Sequence, residues 1–141
     1  MARTPADALA LLRSSADDGS LSVLCERLGI ELLVAHGSAV SATALSQPRD
    51  LDLAFRASTG RSADLVEIID ALIDLTHFDG IDVMDLRSAG DVAKARALGP
   101  QAVLLYETAP STFTLAQIAA LTTEMETRHM RHRDLELMAR R

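Results

Sequence analysis

Apolar positions alternate between two periods along this chain. Short continuous runs, "IELLVAH" (30–36), "DLDLAFRA" (50–57), "IDVMDL" (81–86) and "AVLLYE" (102–107), are of strand length. Between them the apolar residues recur at helical spacing. Pro5 to Ser14 reads as a helix opened by proline and broken at Asp17-Asp18-Gly19. Leu21 to Leu28 is a second helix, stopped by Gly29. The strongest helix spans 61–77, with Leu65, Ile69, Leu72 and Ile73 as its apolar stripe. "AVSATAL" after Gly37-Ser38 predicts a short helix ended before Pro48, and "DVAKARAL" (91–98) predicts another, closed by Gly99-Pro100. A last helix follows Pro110, with Thr114 and Gln117 at capping-box spacing. Strands alternating with helices make this an α+β or α/β chain around a small sheet of about four strands.

One strand breaks its own pattern. Asp50 and Asp52 stand two apart in an apolar run, so they share a face, with Cα atoms about 6.5 Å apart. Two like charges in a core strand are costly unless a cation or protons compensate them. A hard divalent ion such as Mg2+ with oxygen ligands is the economical solution at neutral pH. Upstream, Gly37-Ser38 joins a strand to a helix start, where unpaired N–H groups suit phosphate. Phosphate at one strand end and metal on the next strand is the layout of metal-assisted nucleotidyl transfer. Asp82, within the apolar part of its strand, is the candidate third carboxylate. Asp85, three residues on, faces the other way and reads as a solvated or capping residue.

Composition narrows the rest. The 141 residues suit a single domain, 1–141, and are 48% hydrophobic but only 3% aromatic. A formal charge of −6 argues against direct nucleic-acid binding, which depends on neutralising phosphates with Lys and Arg. Cys25 is the single cysteine, so no internal disulfide forms; it reads as a core thiol, and a reducing, cytoplasmic setting is expected. No run approaches the ~20 apolar residues of a membrane span, and the N-terminus fits an amphipathic helix better than a signal peptide.

Gly-Ser, a spacer, Asp-x-Asp and a later strand aspartate resemble the polymerase-beta-like nucleotidyltransferase superfamily, and within it the minimal nucleotidyltransferase (MNT) branch. The resemblance covers about residues 21–107; the C-terminal helix, 111–141, is less diagnostic. It implies a nucleotidyltransferase fold with a small mixed sheet. It also implies Gly37 and Ser38 as the holders of a triphosphate, and Asp50, Asp52 and Asp82 as metal ligands and catalytic carboxylates. Asp82 would complete a metal site or take a proton from the acceptor. The implied cofactors are Mg2+ and ATP as AMP donor. The implied role is that of an antitoxin neutralising a HEPN ribonuclease toxin by adenylylating a tyrosine hydroxyl. Alternatives are an antitoxin of this fold that acts by binding alone, and a small-molecule nucleotidyltransferase, for which the chain leaves little room. An oligomer, with itself or with the toxin, is compatible with either antitoxin reading.

The sequence departs from the branch on the phosphate side. Ala39-Val40-Ser41-Ala42 carries neither the basic residue nor the second glycine usual there, and the spacer of eleven residues before Asp50 is longer by one. Arg49, Arg56 and Arg61 are the cations that could substitute. His36 reads as a packed histidine rather than a base, and His129 and His132 as a solvated helix face. Arg128, Arg131, Arg133, Arg140 and Arg141 complement a helix C-terminus, and Tyr106 reads as sheet packing.

Overall fold

Thr4 opens the chain's first helix with a reciprocal cap. Its hydroxyl accepts from the Asp7 backbone N–H, and the Asp7 carboxylate accepts from the Thr4 N–H. In the computed structural model, described for residues 3–41 and 47–140, that helix (α1, Pro5–Asp18) runs to Gly19. There the backbone turns left-handed at φ 87°. It continues directly into α2 (Ser20–Leu28) and β1 (Ile30–His36). After the turn come β2 (Leu51–Ala57), α3 (Leu65–Thr76), β3 (Ile81–Asp85), α4 (Asp91–Ala97), β4 (Val103–Glu107) and α5 (Thr112–Ala139). The helix expected after Gly37-Ser38 falls mainly on 42–46, outside the described residues; Ser38–Val40 form a turn.

The strands lie in the order β3-β2-β1-β4. β1 is antiparallel to β2 and to β4, while β2 and β3 are parallel, joined by α3. The sheet is therefore mixed, as expected. Alternation sorts its side chains between two cores. Leu33, Ala35, Leu51, Leu53 and Phe55 pack beneath α1, α2 and α3, with Leu12, Leu21, Cys25, Ile68 and Leu72. Leu32, Val34 and Ala54 face the smaller core made with Leu98, Ala116 and Ala120 of the α4–α5 layer.

Two helix readings need correcting. The buried line of α3 is Ile68, Leu72 and Thr76, whereas Leu65 is exposed. Thr76 is admitted to the core because its hydroxyl donates to the Leu72 carbonyl at 2.7 Å. At α5 the Thr114–Gln117 capping box is absent. The N-cap is Ser111, with no side-chain cap bond, and Gln117 Nε2 instead donates to the Gly99 carbonyl at 3.2 Å.

Candidate functional site

β1 ends where β2 and β3 begin, and this one end of the sheet collects the polar residues. Antiparallel register sets His36 opposite Asp52, and parallel register sets Asp52 beside Asp82. Side chains in register share a face, so His36, Asp52 and Asp82 form a row across three strands. They lie on the α4–α5 side, one step beyond Val34, Ala54 and Met84. Asp50 sits one residue ahead of β2, exposed, in a bend. Its charge, like that of Asp82, acts on Asp52.

Gly37 closes this row from above. Its φ of 77° lies in the left-handed region, and a Cβ there would collide with the Asp52 carboxylate. A Cβ here would push the Asp52 carboxylate out of its present place. The Gly37 carbonyl accepts from the N–H groups of Val40 and Ser41 at 3.3 and 3.2 Å and from the Ser41 hydroxyl at 2.9 Å. Ser38 is exposed at the rim.

The electrostatics are strained in a way that suits a cation. Partial burial holds the Asp52 carboxyl above its ordinary range; His36 opposes this, and the charges of Asp82 and Asp50 add to it. Burial pushes the His36 imidazole down, against the pull of Asp52. Its Nε2 is buried with no hydrogen-bond partner. The Asp52 and Asp82 carboxylates, paired in register, offer oxygens of the kind a hard divalent ion takes. As they stand, however, no three His, Cys, Asp or Glu side chains among the described residues are grouped closely enough to hold a metal ion.

Beside the turn lies a cavity of about 380 Å³, lined by His36, Gly37, Val40 and Ser41 on one wall and by Arg96 with Gly99–Ala102 on the other. Arg96 is the cation here, and sequence reasoning missed it. Of the cations it offered, Arg61 is spent on the carbonyls of Glu26 and Arg27 at the end of α2. Arg56 pairs with Glu31 at 2.8 Å, at the opposite end of β2. Arg49 is exposed ahead of β2. The helical period of 91–98 marks Arg96 only as a last-turn cation; its place against the Gly37 turn depends on how α4 folds back over the sheet.

The secondary readings resolve simply. Asp85 caps the turn after β3, accepting from the Arg87 N–H at 2.9 Å. Cys25 is buried, its thiol pushed up to about 12 mainly by burial. His129 and His132 are exposed. Arg128 and Arg131 pair with Glu124 within α5 at 2.6 and 2.7 Å. Tyr106 is buried in the sheet. Among the described residues, no helix is long and apolar enough to cross a membrane.

No protein-family profile matches the chain, and no curated protein sequence matches it significantly. Solved structures do. A chain of a toxin–antitoxin structure with AMP-PNP is 20% identical, with a TM-score of 0.65 over 86% of this chain and 98% of its own. A chain from the complex of a tri-AMPylated Shewanella oneidensis HEPN toxin with an MNT antitoxin is 18% identical. Its TM-score is 0.63, over 90% of this chain and 98% of that one. A chain of the MntA–HepT toxin–antitoxin is also 18% identical, with a TM-score of 0.62 over 89% of this chain and 98% of its own. At these identities the likeness establishes the fold: the chain has the mixed-sheet α+β fold found in MNT toxin–antitoxin structures.

Proposed function

We propose that this chain is an MNT-type antitoxin that transfers AMP from ATP to a hydroxyl of a HEPN-type toxin, with pyrophosphate as the leaving group. The observation that carries this is the row Asp52–Asp82 in parallel register, beneath a Gly37 whose missing Cβ makes room for the carboxylate. Solved structures of this fold include one with AMP-PNP and one with an AMPylated toxin, which supports nucleotide as the donor.

In this reading Asp50, Asp52 and Asp82 would hold Mg2+, which would neutralise the charge of the triphosphate. The Gly37-Ser38 turn and Arg96 bind the phosphates. The backbone comes close because Gly37 has no side chain, and the Arg96 guanidinium supplies the positive charge absent after Gly-Ser. Asp82, exposed at the end of the row, would complete the metal site or take the proton of the acceptor hydroxyl. His36 stands opposite Asp52 on the neighbouring strand.

The test is incubation with ATP labelled on its α-phosphate, Mg2+ and the HEPN-type product of the adjoining reading frame. Label should pass to that protein, and Asp52→Asn/Asp82→Asn should abolish the transfer. No transfer, or equal transfer by the variant, overturns the reading. The ungrouped state of the acidic side chains favours a second reading, an antitoxin that acts by covering the toxin. Under it, the double aspartate variant still protects cells from the toxin.

A further inference from the structure

A second cavity, of about 310 Å³, lies on the α4–α5 side of the sheet, away from the carboxylate row. Its floor is apolar, made by Leu86, Leu98, Ala116 and Ala120, and its rim carries Arg56, Arg87 and Lys94 against the single acid Asp91. The two arginines are fixed in place. Glu31, largely buried, accepts from Arg56 Nε at 2.8 Å and from Arg87 Nη2 at 3.1 Å. The Ala57 carbonyl takes Arg87 Nε and Nη2 at 3.2 and 2.8 Å. These bonds leave Arg56 Nη1 and Nη2 and Arg87 Nη1 uncommitted. Lys94, half-buried on the cavity wall, has no ion-pair partner among the described residues. Preset guanidinium donors beside a free ammonium suit carboxylates.

The cavity does not end at the body of the protein. Thr123 of α5 lines it, and the helical period places Thr127, Met130, Arg131, Asp134, Leu137 and Met138 on the same side of α5 farther along. Met130, Leu137 and Met138 are 58%, 54% and 68% exposed. Beyond Ala120, α5 buries no residue at all among those described. Helices are held chiefly by packing of an apolar face, and this length of α5 has none to pack against.

We propose that the Arg56–Arg87–Lys94 cavity and the α5 face beyond it form one docking groove, whose occupant is an acidic amphipathic helix of the partner protein. This deepens the reading above and rests on it: the partner is the toxin. Its carboxylates meet the three cations, and its apolar residues cover Leu86, Met130 and Leu137, a helix-in-groove arrangement.

The test is the affinity of the full chain for the adjoining reading frame's product, measured by titration calorimetry. Lys94→Glu and Met130→Glu should each weaken binding by about tenfold or more. Val66→Glu, exposed on α3 across the sheet, should leave it unchanged. Circular dichroism confirms that each variant is folded. Raising salt should weaken the parent complex and not further weaken Lys94→Glu. Should the parent bind and transfer AMP while both groove variants bind as it does, the groove is refuted and the enzymatic reading stands. Should the parent not bind the product at all, both fall. Self-association of the chain that Lys94→Glu abolishes would also refute the groove, by making the occupant a second copy.

Discussion

Gly37 is the residue on which the site's geometry turns. Any other side chain would occupy the volume of the Asp52 carboxylate, in a backbone conformation that L residues rarely adopt. Gly37→Ala is expected to lower stability by about 1–3 kcal/mol and to abolish AMP transfer; thermal melts and the label assay check both. Asp52 is expected to tie metal to stability. Mg2+ with ATP should raise the melting temperature of the parent, since a ligand that binds only the native state stabilises it. The same addition should leave Asp52→Asn unmoved. Arg96 was not legible in the sequence as a phosphate ligand, because nothing in its helical spacing shows that α4 returns to the Gly37 turn. The aspartates stood out because a charge in an apolar run is costly, but in the fold only Asp52 is half-buried; Asp50 lies exposed ahead of β2 and Asp82 is exposed.

At the scale of elements, the strands were read almost to the residue: 30–36 is β1 as found, and the other three differ by one residue at one end. Short continuous apolar runs and glycine punctuation sufficed. Helix faces were harder. Counting only apolar residues placed the α3 stripe on Leu65, Ile69, Leu72 and Ile73; Leu72 is buried as expected, but the buried line turns toward Ile68 and Thr76 and leaves Leu65 exposed. A threonine whose hydroxyl is satisfied within its own helix counts as core, and a pattern of hydrophobics cannot show that. The caps give two predictions. Asp64 caps α3 by accepting from the N–H groups of Val66 and Glu67 at 3.0 and 3.2 Å. Asp64→Ala should cost about 1 kcal/mol in chemical denaturation. At α1, the Thr4 backbone N–H first and its hydroxyl second hold the Asp7 carboxyl below its ordinary 3.8. The stabilisation is therefore complete above pH ~4 and fades as acid protonates the folded carboxylate. Asp7→Asn should flatten the acid limb of the stability curve and leave its slope at neutral pH unchanged.

At the scale of the whole molecule, the sheet order could not be read from the chain. The parallel pairing of β2 with β3 is what brings Asp82 beside Asp52, and it follows from α3 crossing over the sheet, a matter of topology rather than of local pattern. That same topology divides the protein into two working ends. One end carries the carboxylate row, the Gly37 turn and Arg96. The docking groove starts near the other, where Arg56 and Arg87 share Glu31, and leads onto the α5 face.

The account requires the carboxylates at 52 and 82 to meet at one cation. Crystals of the chain grown with Mn2+ and a non-hydrolysable ATP analogue, measured at the manganese edge, would locate that ion by anomalous scattering. A peak is expected between those two carboxylates, with the triphosphate reaching it from the Gly37 turn. A nucleotide bound elsewhere, or a manganese peak that touches neither aspartate, would contradict it.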